Sequence, residues 1–311
     1  MFSSILLCVT LATQVLGELQ EMSWPLNEQK MTYYPGVLED PGNLYKHQID
    51  FAGPYHDLEF HSYGSYSVGE HVGTHMDAPY QYYKEGKHIN EIPLEDLTGP
   101  LVPIDISEKA KKSNTAMVNV NDLKAWEKKY GRIPDRAFVL MYSGWDAYYG
   151  KDDAKYLGST NGTFPVHFPS FDGDAAKWLL DNRDILGIGV DTISCDWYYP
   201  PRSHLTMLPA NKVCIENLRN VGKVPKCGAR FMMLPLMLYN GTGAQGRALA
   251  EWYPGVGYGT SCKGQLQTVE DLFNITSSAF QFHPSQSYFT MTIIVCLVIT
   301  KTAFSFALFV D

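Results

Sequence analysis

The chain has 311 residues, 45% of them hydrophobic and 19% charged, which supplies apolar material for a sizeable core. Its formal net charge is −8, and its densest basic cluster, Lys109, Lys111 and Lys112, is interrupted by Glu108. No stripe of Lys and Arg suited to a polyanion exists, so nucleic acid is excluded as an expected partner.

In chain order, the first feature is a leader. Phe2 to Leu16 is almost wholly apolar or small, and Val15-Leu16-Gly17 offers small residues at a cleavage point. Residues 1–17 therefore read as a signal peptide, although no basic residue precedes the apolar run. The competing structural reading is a buried N-terminal strand. Three sequons, at Asn161, Asn240 and Asn274, agree with export and mark expected glycosylation sites.

The strongest chemical signal follows in Glu70-His71-Val-Gly-Thr-His75-Met-Asp77-Ala-Pro79. Two imidazoles and a carboxylate within seven residues suit a divalent cation such as zinc or manganese. Gly73, Thr74 and Pro79 argue against a regular helix, and Ala78 before Pro79 should be extended. The segment is expected on a strand end or loop, where alternation would put His71, His75 and Asp77 on one side. A polar turn carrying two unrelated histidines is the plainer alternative.

Leu101–Ile106, Ala137–Tyr142, Ile185–Val190 and Phe231–Leu238 read as strands: short, apolar and bounded by turn residues. A helix is predicted to start at Asn121, as N-cap, and to end at Tyr130 before Gly131; another spans Asp172–Arg183. Strands alternating with helices argue for a single α/β domain. The strand ending at Asp191 places that carboxylate where α/β proteins carry functional loops. Downstream, His204 and Glu216 are candidates for a second ion, or else a surface histidine and a helix-start carboxylate. The aromatic stretch Asp196-Trp-Tyr-Tyr199-Pro-Pro201 reads as a pocket lining or as turn and core packing.

Cys195, Cys214, Cys227 and Cys262 form an even set that suggests disulfides with three possible pairings. Gly241-Thr-Gly243-Ala-Gln-Gly246 matches the dinucleotide fingerprint, but sits near the end of the domain rather than at its start, so nucleotide binding is set aside. From Tyr288 to Val310 the chain is apolar, following the small trio Ser277, Ser278 and Ala279 and a polar spacer. Residues 277–311 thus read as a lipid-anchor signal, with a single spanning helix as the alternative. Lys301 within the apolar run and the lack of a basic stop after it favour the anchor. A domain over 18–276, about 260 residues, lies between leader and tail.

His71-x-Gly73-Thr74-His75-x-Asp77-x-Pro79 resembles the signature of the metal-dependent cyclase and kynurenine formamidase family, which includes isatin hydrolases. Further passages resemble it too: Met31-Thr-Tyr-Tyr-Pro35-Gly36, Leu97-Thr-Gly99-Pro100, Gly187-Ile-Gly-Val-Asp191-Thr-Ile-Ser194, the His204/Glu216 spacing, and Leu234-Pro235-Leu236. The similarity runs from about Met22 to Trp252. It implies a swivelling β/β/α fold, usually a dimer or tetramer, with metal ligands at His71, His75 and Asp77. In two-metal members, His204 and Glu216 would hold the second ion while Asp77 bridges.

One departure stands out. The family motif ends Pro-x-His, and that histidine is the proton-transfer group, whereas this chain reads Pro79-Tyr80-Gln81. A primary amide hydrogen-bonds but cannot shuttle a proton at neutral pH. Nearby His88 is a candidate substitute, although nothing in the spacing compels it. The expected activity is hydrolysis of a small amide by metal-activated water, with one or two zinc or manganese ions. N-formylkynurenine, cleaved to kynurenine and formate, is the first substrate expected, and an isatin-type cyclic amide the alternative. Because of Gln81, a surface-anchored binding protein with weakened catalysis is the rival from another class. The expected location is the extracellular side of the cell surface, lipid-anchored.

Overall fold

The computed structural model describes residues 17–35, 41–160 and 163–252. The leader, the sequons at Asn161 and Asn274, Cys262 and the C-terminal anchor signal lie outside the described residues. Twelve strands are β1 (Glu18–Glu21), β2 (Lys46–Tyr55), β3 (Leu58–Ser67), β4 (His75–Asp77), β5 (Thr98–Asp105), β6 (Met117–Val118), β7 (Ala137–Tyr142), β8 (Ser170–Phe171), β9 (Ile185–Gly189), β10 (Val213–Glu216), β11 (Ala229–Pro235) and β12 (Gly243–Trp252). Five α-helices lie among them: α1 (Ser107–Ala110), α2 (Val120–Tyr130), α3 (Asp153–Leu157), α4 (Gly173–Asn182) and α5 (Arg202–Met207).

The main sheet runs β1-β12-β11-β5-β7-β9-β10-β4, and β4 pairs back onto β12. Seven strands therefore close into a barrel, with β1 added outside along β12. The run β5-β7-β9-β10 is parallel, as its helical crossovers require. β4, β11 and β12 pair antiparallel with their neighbours.

Alternation along β7 divides the interior in two. Phe138 and Leu140 join Leu101, Val213, Ile215, Phe231 and Met233 in one core. Ala137, Val139 and Met141 face a second core with Leu123 and Trp126 of α2 and Ala175, Ala176 and Leu179 of α4. Burial on both sides explains why β7 and β9 read as unbroken apolar runs. The metal-loop strand β4 is only three residues long, yet wholly buried, because it is hydrogen-bonded on both edges.

Predicted elements and observed ones agree except at their ends. α2 is capped by Asn119, not Asn121: the Asn119 side chain accepts from the amides of Asn121 and Asp122, and Asp122 reaches back to the Asn119 amide. Two capping residues were two positions apart, and the one completing a reciprocal capping box prevailed. Glu216 opens no helix; it ends β10. His71 lies before β4 in a turn, so strand alternation relates only His75 and Asp77. Cys195 and Cys214 are free and buried, while Cys227 is disulfide-bonded; the expectation of disulfides through all four cysteines therefore fails at the first two. Among the described residues no helix is long and apolar enough to cross a membrane.

Candidate metal centre

The loop before β4 is shaped by Gly73, which takes φ 70°, a left-handed conformation open to glycine at little cost. Two side chains pin that loop. Gln245 of β12 directs its amide Nε2 at the carbonyls of Gly69, Glu70 and Val72, at 2.7, 3.0 and 2.9 Å. From the opposite side, Asn217 donates its Nδ2 to the Gly73 carbonyl at 2.9 Å, while Thr74 donates to the Asn217 carbonyl at 2.7 Å. The backbone that carries His71 and His75 is thus fixed by two residues distant in sequence, Gln245 in β12 and Asn217 just after β10.

Three histidines converge on two carboxylates. His71 Nδ1 lies 2.7 Å from Asp77 Oδ1. His75 Nε2 lies 3.2 Å from the same oxygen and 3.5 Å from Glu216 Oε2. His204 Nε2 lies 3.2 Å from Asp77 Oδ2 and 3.1 Å from Glu216 Oε1. The second nitrogen of each ring is held from outside: His71 by Thr242 Oγ1 at 2.8 Å, His75 by the Gly73 carbonyl at 2.9 Å, and His204 by Asp196 Oδ2 at 2.8 Å. Outer bonds of this kind fix tautomer and orientation in metal-binding histidines and raise their basicity. Thr242 is itself held by Glu70, which accepts from both its hydroxyl (2.5 Å) and its amide (2.9 Å).

The donor set fits a metal. His75 Nε2 is fully buried and has no aligned hydrogen-bond partner, although two carboxylate oxygens lie within 3.5 Å. An orphaned imidazole nitrogen amid buried carboxylates is costly unless a cation completes it. Ligand atoms of His71, His75 and Asp77 fall within 4.8 Å of one another. Without an ion, protons take its place. Burial opposes charge on His75, but Asp77 and Glu216 outweigh it and raise it to about 9. Burial likewise opposes charge on Asp77, yet the facing imidazoles hold it well below the ordinary carboxylate range. His204 follows the same pattern, raised by Asp196, Asp77 and Glu216 despite its burial.

All five residues expected to bind metal are therefore brought together. Gln81 joins them from the short turn Pro79–Gln81, with Nε2 3.3 Å from His71 Nδ1 and Oε1 buried without a partner. His88 does not take the missing proton-transfer position; it stacks on Tyr80 at 3.8 Å and opens the turn Ile89–Glu91. Asp191 is structural: it accepts from Ser143 and Gly144, and burial with nearby Asp146 pushes it up to about 7 against those donors. Tyr199 is 95% exposed and lines nothing, whereas Tyr82 faces His204 at 5.4 Å between ring centroids. Asn240 is exposed in its turn.

Residues overlooked in the sequence are Asp196, Thr242 and Gln245. The last two sit inside the glycine run that resembles a dinucleotide fingerprint, and Gly243 there has its own reason: an added Cβ would lie 2.7 Å from His71 Cε1. That run is the clamp on the metal loop. Two polar side chains set among glycines and alanine at the start of a buried strand, Thr242 and Gln245, were the available signal.

Comparison with known proteins agrees with this geometry. The Cyclase family model, described as "Putative cyclase", matches residues 20–197, more than half of the chain. An isatin hydrolase of Roseibium aggregatum is 30% identical over 238 residues, covering 69% of this chain and 89% of that one. A kynurenine formamidase of Bacillus cereus is 26% identical over 176 residues, covering 57% and 69%. The solved isatin hydrolase A of Labrenzia aggregata, bound to benzyl benzoate, superposes with a TM-score of 0.69 at 26% identity, over 81% of this chain and all of that one. The chain belongs to the Cyclase family of metal-dependent hydrolases, and its mixed α/β barrel is the fold of that family.

Proposed function

We propose that this Cyclase-family chain hydrolyses the amide of a small aromatic substrate, with N-formylkynurenine the first to test. The observation that carries the reading is the set of three imidazoles, each anchored at its outer nitrogen and aimed inward at shared buried carboxylates. His71, His75 and Asp77 would hold one divalent ion, and His204 and Glu216, with Asp77 as bridge, a second. A divalent ion such as zinc or manganese held by these residues would supply Lewis-acid activation of water and of the substrate carbonyl.

The protein's own groups then set what remains. Gln81 is placed to orient the substrate amide: its NH2 donates, and its unpartnered Oε1 accepts. It cannot transfer a proton at neutral pH, so the leaving amine lacks the side-chain acid the family motif provides. General acid–base help is worth roughly 10²- to 10⁴-fold, which makes Gln81 the residue that limits turnover. A cyclic amide of the isatin type is the second reading. It is favoured by the isatin hydrolase relative, which is more similar and covers more of this chain than the formamidase does.

Assay of the metal-loaded protein on both substrates tests the two readings. Gln81→His is expected to raise turnover about 10²-fold at unchanged metal content. A fall instead would show that glutamine belongs to an adapted mechanism, and bound metal with no turnover on either amide would favour a binding protein. We further propose a lipid-anchored position at the cell surface, on the strength of the leader, the sequons and the C-terminal tail. Release from membranes by a phosphatidylinositol-specific phospholipase is the expected result, and resistance would point to a spanning helix.

A further inference from the structure

The second ion's ligands leave one polar side chain on their own face unused. β10 and β4 pair antiparallel with Glu216 opposite His75 and Cys214 opposite Asp77. Alternation places these four side chains on one face, while Met76 and Ile215 between them point into the barrel core. His204 lies against this square, in contact with both Asp77 and Glu216. Donor atoms of Asp77, His204 and Cys214 all fall within 4.8 Å of one another, and all three residues are buried.

Cys214 is part of the apolar core on one side, but unlike a cysteine used only as a small filler it also faces the donor atoms of Asp77 and His204. Its sulfur lies beside the Cys195 thiol in the buried interior, and neither residue is in a disulfide. The Cys195 backbone N–H meanwhile donates to Glu216 Oε1 at 2.9 Å. Cys195 thus meets two members of the square at once, with its amide bonded to Glu216 and its thiol beside Cys214. An S–H donor behind a ligand sulfur is the kind of outer support already seen behind each histidine.

We propose that Cys214 is a sulfur ligand of the ion held by Asp77, His204 and Glu216. The proposal rests on the two-ion reading given above. It divides the centre by chemistry: His71, His75 and Asp77 offer only nitrogen and oxygen, which suit zinc or manganese alike, whereas a thiolate selects a thiophilic cation of the zinc type. On binding, the Cys214 thiol gives its proton to solvent, and the Cys195 S–H remains to donate to the resulting sulfur anion. Cys195 is a positioning residue in this scheme.

Cobalt(II) tests it, because sulfur ligation of that ion gives a near-ultraviolet charge-transfer band independent of turnover. Metal-free protein is titrated in the absence of added thiols, with equilibrium dialysis counting bound ions. The band is expected to appear as about two equivalents bind, to vanish in Cys214→Ser, and to persist in Cys195→Ser. Two bound ions without the band in the unaltered protein would overturn the sulfur ligand and leave the two-ion reading standing. Binding of one ion or none would remove the two-ion reading and the proposal with it. Since the unaltered protein alone decides between these outcomes, a folding defect in Cys214→Ser would not blunt the test.

Discussion

At the residue scale, the centre works by holding each imidazole at its outer nitrogen, which keeps the inner nitrogen aimed at the carboxylates. The longest of these supports is Glu70 to Thr242 to His71. Thr242→Val removes the hydroxyl and leaves the outer His71 nitrogen and Glu70 without their shared partner. Metal affinity, read by chelator competition, is expected to fall about 10- to 100-fold, and Thr242→Ser to restore most of it. Equal loss in both variants would show that only the shape of Thr242 matters. The pH response follows from His75. Its folded value of about 9, against 6.5 for the free side chain, stabilises the metal-free protein fully below pH 6.5 and ceases to do so as pH rises through 9. A cation must expel that proton at neutral pH. The gain in Tm on adding metal should therefore widen from pH 6.5 to 9, as followed by calorimetry. A gain that stays flat over that window would mean His75 is not a ligand.

At the element scale, β4 and β12 are the decisive pair. β4 is too short to be stable alone, and it is fixed because β10 and β12 bond its two edges. Gly243 lies opposite Asp77 in this register, and the absence of a side chain there is what lets the His71 ring fit. Gly243→Ala is expected to abolish stoichiometric metal binding while leaving the circular dichroism spectrum of the fold unchanged. Full metal content in that variant would refute the packing argument. The helices behave differently. α2 and α4 were readable from caps and apolar spacing, because those signals are local: α4 falls within its predicted span, with Asp172 as its cap, and the cap of α2 lies only two residues from the predicted one. β4 could not be read in this way. A three-residue strand has too few positions for a period to show, and its pairing partners lie far along the chain.

At the scale of the whole molecule, the hairpin of β2 and β3 stands apart. It forms its own two-stranded sheet, and Ile49, Leu58, Phe60, Tyr63 and Tyr66 are all more than half exposed. A hairpin of two strands is at best marginally stable in water, and so many exposed rings favour cover by another surface. We propose that this face is where the expected homo-oligomer assembles. Light scattering after size exclusion should show a dimer or tetramer, and Phe60→Glu with Tyr63→Glu should shift it toward monomer at unchanged metal content. A monomeric unaltered protein would remove the oligomer. The hairpin leads directly through Gly69 and Glu70 into His71, so the same segment links the exposed surface to the metal loop.

What the sequence determined by itself is a first candidate ligand set and the class of the fold. His71, His75 and Asp77 are close in the chain, and apolar runs alternating with capped helices imply parallel strands with helical crossovers. Gln81 was legible too, as a departure from a motif. His204 and Glu216 were expected at the same centre from the family resemblance alone; only the tertiary structure decided that Asp196, Thr242 and Gln245 support it, and that Cys214 faces it while remaining a free thiol. The physical reason is distance along the chain. Ligand geometry at this centre is set by the register of β4 between β10 and β12, and barrel closure brings together residues more than a hundred positions apart. Local propensity carries no information about that closure.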